Sequence, residues 1–167
     1  FIDSYGHYFR EMTEYVDSIS DKERAAEEIA DIFKAGLRIF AIFQEGTPSL
    51  NRYTATVGKE EAQKAVMAAR QLGIPENAII YFAIDYDVMD KDIERVKRYF
   101  EGIKRVINRY GKYYRVGIYG ARNVCTKICE SGLAESCFVS DMSTGFSGNL
   151  GYKIPKNWAF DQFHEYQ

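Results

Sequence analysis

Cysteine, proline, histidine and tryptophan are all scarce in this 167-residue sequence, with three, three, two and one copies respectively. Three cysteines are too few and too odd in number for a disulfide framework, so Cys125, Cys129 and Cys137 are interpreted as small buried side chains. The histidines, His7 and His164, lie near opposite ends of the chain, where they cannot complete a metal site with these thiols. The sequence therefore predicts no metal and no cofactor.

An excess of charge of one sign and long apolar runs are also missing. The formal net charge is −2 and the pI is near 5.8, so no basic field exists to hold nucleic acid. No apolar run approaches the ~18–20 residues that a membrane-spanning helix needs. No linker or low-complexity segment divides the chain. The sequence predicts one globular domain that does not bind nucleic acid and does not span a membrane.

The sequence does contain a regular alternation of apolar strands and amphipathic helices. Strands are predicted at residues 37–43, 78–84, 114–119, 136–140 and 158–163, with a further possible strand at 6–10. Helices are predicted between them, at residues 20–35, 57–72, 91–110 and 122–131. Continuous apolar strands joined by helices form a parallel sheet that the helices cover. The predicted fold class is α/β.

Polar side chains follow most of these strands at the point where each strand ends. They are Gln44, Asp85, Asp87, Tyr119, Asp141, Asp161 and Gln162. Parallel α/β folds assemble their binding and catalytic sites at the carboxyl ends of the strands. Because the pattern repeats in successive strands, we predict one shared site at this edge of the sheet.

Asp85 and Asp87 are two residues apart on the second long strand, so both should point to the face that Tyr81 occupies, about 6.5–7 Å apart. Two carboxylates at that distance raise each other's proton affinity, and one can then stay protonated as a general acid. The same pair could instead hold a divalent cation. Tyr81, Tyr119 and Trp158 would add aromatic faces at the same rim, on which sugar rings stack.

Four segments carry a family resemblance: IIYFAIDYD, RVGIYGARNVC, FVSDMSTGFSGN and NWAFDQF. In this order and spacing they resemble a bacterial glycoside-hydrolase-like family related to the family 25 lysozymes, which are β/α barrels that cleave peptidoglycan. The resemblance implies a TIM-like parallel barrel, incomplete in this chain. Residues 1–167 would be a single domain truncated at both ends, because the Gly-Phe-Asp strand that opens family members and the acidic segment that closes them are not found.

The resemblance also implies a function and a location. Asp87 stands where the lysozymes have a proton-donating Glu, so Asp87 is the predicted donor, with Asp85 or Asp141 as base or electrostatic stabiliser. Gln44 and Tyr119 would orient the sugar. Asp161 and Gln162, like Asp141, match polar positions on later strands of the family. The substrate would be a cell-wall polysaccharide such as peptidoglycan, and the protein would be extracellular or wall-associated, with possible wall-binding domains outside these residues.

Two other functions stay open at this point. The replacement of Glu by Asp87 favours a non-catalytic carbohydrate- or wall-binding module on the same scaffold. The segment FAIDYDVM also resembles the Asp-x-Asp strand of haloacid-dehalogenase-type, Mg²⁺-dependent phosphohydrolases, although no convincing later acidic pair follows it. A dinucleotide-binding enzyme is disfavoured, because no Gly-x-Gly-x-x-Gly follows any strand.

Overall fold

The computed structural model describes residues 19–164, with side chains from residue 27 onward. The helices are α1 (Ile19–Lys34), α2 (Ala55–Gln71), α3 (Ile93–Arg109) and α4 (Arg122–Glu130). The strands are β1 (Ala41–Phe43), β2 (Ile79–Ile84), β3 (Arg115–Gly120), β4 (Ser136–Val139) and β5 (Trp158–Asp161). The strand predicted at residues 6–10 lies outside the described residues. No described helix combines the length and the apolar character needed to cross a membrane.

The five strands form one sheet in the order β1-β2-β3-β4-β5. Each strand pairs in parallel with the next, so the predicted α/β class with a parallel sheet is confirmed. β1 is shorter than predicted, because only Ala41–Phe43 of the apolar run at 37–43 joins the ladder. Helices connect the first four strands, whereas a long loop over residues 140–157 connects β4 to β5.

The sheet separates two apolar clusters. On the outer face, Ile80, Phe82 and Ile84 of β2 pack with the helices in the main core. On the inner face, Tyr81 and Ala83 of the same strand belong to a second, smaller cluster. Alternate residues of a strand point to opposite faces, which accounts for this division of β2 between the two clusters.

The inner cluster shows that the sheet is strongly curved. Phe40, immediately before β1, stacks on Phe160 of β5 with ring centroids 4.3 Å apart. These rings belong to opposite edges of the sheet, and in a flat sheet four strand spacings would separate the edges by about 19 Å. Phe138 of β4 packs edge-on against both rings, 5.4 Å from Phe40 and 5.6 Å from Phe160. The sheet therefore bends around an aromatic centre.

Tyr81 lies deep in this inner cluster. A Cβ atom at Gly117 of β3 would stand 2.5 Å from Cδ1 of Tyr81, so the ring occupies the space that only a glycine leaves open. The Tyr81 hydroxyl lies 3.0 Å from Oγ of Ser136, the first residue of β4. Tyr81 is 2% exposed and serves as a core residue near the amino end of the strands.

Helices α2 and α3 approach each other backbone to backbone. A Cβ atom at Gly58 of α2 would lie 2.1 Å from the carbonyl oxygen of Tyr99 in α3. Reciprocally, a Cβ atom at Gly102 of α3 would lie 2.2 Å from the carbonyl oxygen of Ala55 in α2. Both distances are far below van der Waals contact, so the two glycines permit this packing. The close pair of helices packs on the outer face of the sheet, with α2 against β1 and α3 against β3.

Candidate functional site

The carboxyl ends of the strands bring several of the predicted site residues to one edge of the sheet. We call this group the carboxyl edge: Gln44, Asp85, Tyr119, Asp141, Asp161 and Gln162. Each member lies within two residues of the carboxyl end of a strand, and parallel pairing brings these ends to the same edge. The edge divides into a half around Asp85, next to β1 and β2, and a half around Asp141 and Asp161, next to β4 and β5.

Asp85 faces a small polar cavity. Its Oδ2 accepts a hydrogen bond from Nε2 of Gln44 at 3.3 Å, so the predicted proximity of these two side chains is found. The cavity also borders Tyr53 and Glu61 and measures about 10 Å³, room for one water molecule. A sugar ring cannot enter this cavity, so a glycan at this half of the edge would lie above it.

Glu61 of α2 lies at the bottom of the cavity and is 4% exposed. Nη2 of Arg52 donates to its Oε1 at 2.6 Å, and the hydroxyl of Tyr99 donates a short hydrogen bond to its Oε2. Burial raises the pKa of Glu61, while the hydrogen bonds from Tyr99 and Arg52 oppose the rise. The pKa stays raised on balance, so the two partners offset only part of the cost of burying this carboxylate.

Tyr53 connects this network to Asp85. It is buried, and its ring lies 5.5 Å from the Tyr99 ring. Burial raises the pKa of Tyr53, and the negative charges of Asp85 and Glu61 raise it further. Tyr53 is therefore a neutral phenol beside the Asp85 carboxylate.

Asp141 is bound at the other half of the edge by Arg122, at the start of α4. Nε of Arg122 donates to Asp141 Oδ1 at 2.6 Å, and Nη2 donates a second, short bond to Oδ2. Nη1 of the same guanidinium donates to the Tyr152 carbonyl at 3.0 Å. A guanidinium that binds both carboxylate oxygens fixes the orientation of the carboxylate as well as its position.

Asp161, at the end of β5, lies beside this ion pair. Its Oδ1 is buried and, within residues 27–164, is the one buried side-chain oxygen or nitrogen without a hydrogen-bond partner. Burial raises the pKa of Asp161, and the negative charge of Asp141 raises it further, against the opposing charge of Arg122. Asp161 is thus the carboxyl of the edge whose surroundings favour a bound proton.

Tyr119 and Gln162 meet between the two halves. The Tyr119 hydroxyl donates to Oε1 of Gln162 at 2.8 Å, and the Tyr119 ring packs edge-on against Phe138 at 5.0 Å. The backbone of Gln162 is held by β4, since its N–H donates to the Val139 carbonyl at 2.8 Å. Both side chains are half-buried, which leaves polar groups at the rim of the inner cluster.

Asp87 has other surroundings than its spacing from Asp85 predicts. Its Oδ1 accepts from Oγ of Ser147 at 2.8 Å and from the Gly148 N–H at 3.4 Å, both in the loop between β4 and β5. Burial would raise the pKa of Asp87, but the hydrogen bonds from Ser147 and Gly148 outweigh it and the pKa is lowered. A general acid needs the opposite shift, because it must keep its proton until the substrate takes it.

Replacing Asp87 with Ala is expected to loosen the loop and to lower the free energy of unfolding by about 1 kcal/mol at neutral pH. A lowered carboxyl pKa means that this stabilisation is present above the ordinary pKa of 3.8 and is lost as the pH falls through the lower folded value. The protection of the Ser147 and Gly148 amides against hydrogen exchange, relative to an unstructured chain at the same pH, should therefore fall in the wild type below about pH 4 and should already be low in the variant. Equal protection in both proteins at neutral pH would contradict the anchoring role, with Asp31→Ala as the control on an exposed helix.

Two other predicted site residues lie away from the edge. Tyr81 is in the core, as described above. Trp158 is the first residue of β5 and is 49% exposed at the amino end of the sheet, opposite the carboxylates. The placement of these two aromatic side chains at the shared rim is therefore corrected, because a strand carries its first residues to the far edge of the sheet.

Asp85 and Asp87 also have different partners: Gln44 for the first and the Ser147 loop for the second. In the part of the chain that the structure describes, no group of three or more His, Cys, Asp or Glu side chains is placed to hold a metal ion.

Sequence reasoning missed Arg52, Tyr53 and Glu61 and did not assign Arg122 a role. The burial of Glu61 could have been recognised from the sequence. Glu61 precedes the buried Ala65 and Ala69 by four and eight residues, so it falls on the apolar face of α2. An acidic residue in an apolar helical stripe indicates a buried, paired carboxylate. The partners of Glu61 and Asp141 come from other elements and carry no local signal.

The chain matches the family model described as Rv2525c-like, glycoside hydrolase-like domain, over residues 2–167. Two proteins of Bacillus subtilis (strain 168) are similar to it. Uncharacterized protein FadG is 44% identical over 155 residues, which are 92% of this chain and 27% of that protein. Uncharacterized protein YbfG is 43% identical over 144 residues, 83% of this chain and 20% of that protein. The chain thus spans about a quarter or less of the length of these relatives.

Two crystal structures of the Mycobacterium tuberculosis Tat-secreted protein Rv2525c share the fold. The complex with L-tartrate has a TM-score of 0.65 and 22% identity, covering 78% of this chain and 61% of that chain. The complex with HEPES has a TM-score of 0.61 and 20% identity, covering 80% of this chain and 61% of that chain. The glycoside-hydrolase-like resemblance inferred from the sequence is confirmed by the family model. The chain belongs to the Rv2525c-like, glycoside hydrolase-like domain family.

Proposed function

We propose that this domain hydrolyses glycosidic bonds in a cell-wall polysaccharide such as peptidoglycan, without a cofactor. The observation that carries the proposal is the set of carboxylates at the carboxyl edge, where Asp85 and Asp161 have different partners and surroundings. Most glycosidases pair one carboxyl that holds a proton with one carboxylate that does not. The glycoside-hydrolase-like family of the chain supports the same class of reaction.

The roles within the edge follow from these surroundings. We assign proton donation to Asp161 in place of Asp87, because the Asp161 pKa is raised, as a donor needs, whereas the Asp87 pKa is lowered. Asp85 is the base or the stabiliser of positive charge on the sugar, with Gln44 orienting it. Asp141 positions Asp161 and is itself positioned by Arg122.

The curved sheet supports a barrel as the scaffold of this site. All described strand pairs are parallel, and the stacking of Phe40 on Phe160 brings opposite sheet edges together around a filled interior. A parallel sheet that curls around packed side chains is the arrangement of β/α barrels, in which catalytic groups lie at the carboxyl ends of the strands. The carboxyl edge would then be the mouth of a TIM-like barrel.

The proposed location is outside the cytoplasm, where a wall polysaccharide is found. The similar protein Rv2525c is Tat-secreted, which supports export of proteins carrying this fold. The Bacillus subtilis relatives are several times longer than the matched segment. Such proteins have room for additional domains, and we propose wall binding as one of their functions.

The test measures soluble muropeptides released from purified cell walls by the purified domain. We expect release by the wild type and a loss of at least about 100-fold in Asp85→Asn and in Asp161→Asn, the scale of a lost general acid or base. Asp31→Asn, an exposed acid on α1 that pairs with Lys34, is the matched control and should keep full activity. Full activity in either edge variant would contradict its assigned role.

The variant Asp87→Asn separates the two candidate proton donors. If Asp161 is the donor, Asp87→Asn should lose only a small part of its activity, because the substitution loosens the loop but leaves the donor in place. If Asp87 is the donor, as its match to the lysozyme Glu implies, the loss should equal that of Asp161→Asn. The pH profile adds a second readout, because loss of the donor removes the descent of activity on the alkaline side.

A non-catalytic carbohydrate-binding module is the second candidate function. It is favoured by one observation, the engagement of Asp87 by Ser147 and Gly148 at the position where the lysozymes have their donor. Saturable binding of glycan fragments by the wild type, with no cleavage after prolonged incubation, would support this alternative. Under it, Asp161→Asn should leave affinity within about threefold while hydrolysis is absent from wild type and variant alike.

A further inference from the structure

Three cysteine sulfurs gather where α4 packs on β4, far from the carboxylates. Cys125 and Cys137 are buried, as predicted, whereas Cys129 in the last turn of α4 is half-buried. The Sγ atoms of Cys129 and Cys137 are 3.1 Å apart. Cys137 lies between the other two thiols, with its Sγ 3.7 Å from the Cys125 carbonyl and 3.5 Å from Oδ1 of Asn157.

We propose that Cys129 and Cys137 form a disulfide bond when the protein meets an oxidant, and that this cross-link joins the end of α4 to β4. A disulfide has an S–S distance of about 2.05 Å, so the two sulfurs must move together by only about 1 Å from the separation observed. Helix α4 and strand β4 already pack against each other. The fold therefore already places the two cysteines so that their sulfurs are neighbours.

Cys125 is the competing partner for Cys137, and its surroundings disfavour it. It is fully buried, and its Sγ donates to the Gly120 carbonyl at 3.3 Å. Cys129, by contrast, is half-buried in the final helical turn, where local opening exposes a side chain most readily. A small oxidant reaches Cys129 first, and Cys137 is the sulfur adjacent to it.

The reaction is thiol–disulfide exchange with a low-molecular-weight disulfide such as cystine. The Cys129 thiolate attacks one sulfur of cystine, forms a mixed disulfide and releases one cysteine thiol. The Cys137 thiolate then attacks the Cys129 sulfur and releases the second cysteine thiol. Two electrons pass from the protein to cystine, and the two protons of the protein thiols end on the two released cysteines.

The local chemistry sets the rate of this exchange. The hydrogen bond with Cys137 and burial raise the pKa of Cys129, and the hydrogen bond with Cys125 raises the pKa of Cys137. Since the thiolate is the attacking species, the folded dithiol should oxidise slowly. Oxidation should accelerate with rising pH and be faster during refolding than in the native state.

The test compares the fully reduced domain with the domain refolded in cystine at about pH 8.5, near the ordinary thiol pKa. We expect the number of titratable thiols to fall from the three free cysteines to one, and peptide mapping to join Cys129 to Cys137. The oxidised domain should melt about 5 °C higher, because the bond constrains the unfolded chain. The cysteine left titratable should be Cys125.

Matched variants make the assignment decisive. Cys125→Ala should still form the cross-link. Cys129→Ser and Cys137→Ser should form no disulfide within the chain, and mass spectrometry should find their remaining cysteines either free or carrying a cysteine adduct. If the buried Cys137→Ser substitution prevents folding, the half-buried Cys129→Ser carries the test, with circular dichroism as the check on folding. Three titratable thiols after oxidative refolding would overturn the proposal, and so would a cross-link that maps to Cys125.

Discussion

Gly102→Ala is expected to lower the free energy of unfolding by about 3 kcal/mol, although alanine is normally the better helix former by about 1 kcal/mol. The new Cβ would lie 2.2 Å from the Ala55 carbonyl oxygen, a backbone atom that cannot rotate away. Helices α2 and α3 would have to separate, and the core beneath them would lose contact. Urea denaturation measures the change, and the melting temperature should fall by about 10 °C.

Gly145→Ala is the matched control for this substitution. Gly145 is an exposed loop residue with nothing within 4 Å of its would-be Cβ and no positive φ. Its replacement should change the free energy of unfolding by less than about 0.5 kcal/mol. If Gly102→Ala were neutral or stabilising, the two helices would not be in backbone contact. Gly58→Ala tests the reciprocal contact with the Tyr99 carbonyl and should behave like Gly102→Ala.

The second large effect is expected at the buried carboxylate of Glu61. Arg52→Met removes the positive partner and leaves Glu61 at the bottom of the cavity with Tyr99 alone. Breaking a buried ion pair by removing one partner costs about 3 kcal/mol, because the other charge stays buried. Arg115→Met is the matched control, since Arg115 and Glu135 form the same type of pair with 45% and 56% exposed side chains. Arg115→Met should lower the free energy of unfolding by less than about 1 kcal/mol.

The loss of stability in Arg52→Met should depend on pH. The pKa of Glu61 is already raised above 4.5 in the folded protein, and loss of the Arg52 charge raises it further. Below pH 4.5 folded and unfolded chains both carry a protonated Glu61, so the variant loses little there. The difference between variant and wild type grows as the pH rises above the folded wild-type pKa of Glu61, because the wild type then ionises beside Arg52 whereas the variant must keep the proton or bury an unpaired charge. The double variant Arg52→Met/Glu61→Gln should recover part of the loss at neutral pH, and purely additive effects would contradict the coupling.

The sheet could be predicted from the sequence because its strands are local features. The apolar run at residues 78–84 predicted β2 to within one residue of its observed start at Ile79. The strand predicted at 37–43 was wrong in its first half, since only Ala41–Phe43 pairs with the sheet. Phe40 lies outside the ladder and stacks on Phe160. That contact joins opposite ends of the described chain, and no short segment carries a signal for it.

The site was predictable to the same extent. Asp85, Asp141 and Asp161 could be placed at one edge because position along a parallel strand determines which edge a residue reaches. The chemical state of each carboxyl could not be predicted, because it depends on distant partners. Ser147, which lowers the Asp87 pKa, is 60 residues away from it, and Tyr99, which binds Glu61, is 38 residues away.

The stacking of Phe40 on Phe160 has a consequence for the order in which the domain folds. The two rings are 120 residues apart in the chain, from residue 40 to residue 160, and contacts of such long separation slow folding because a large loop must close first. Helices α2 and α3 and strands β1 to β3 can assemble while the chain is still being synthesised. The inner aromatic cluster closes only after β5 has emerged. Until then the inner, apolar face of the sheet in the growing chain stays exposed.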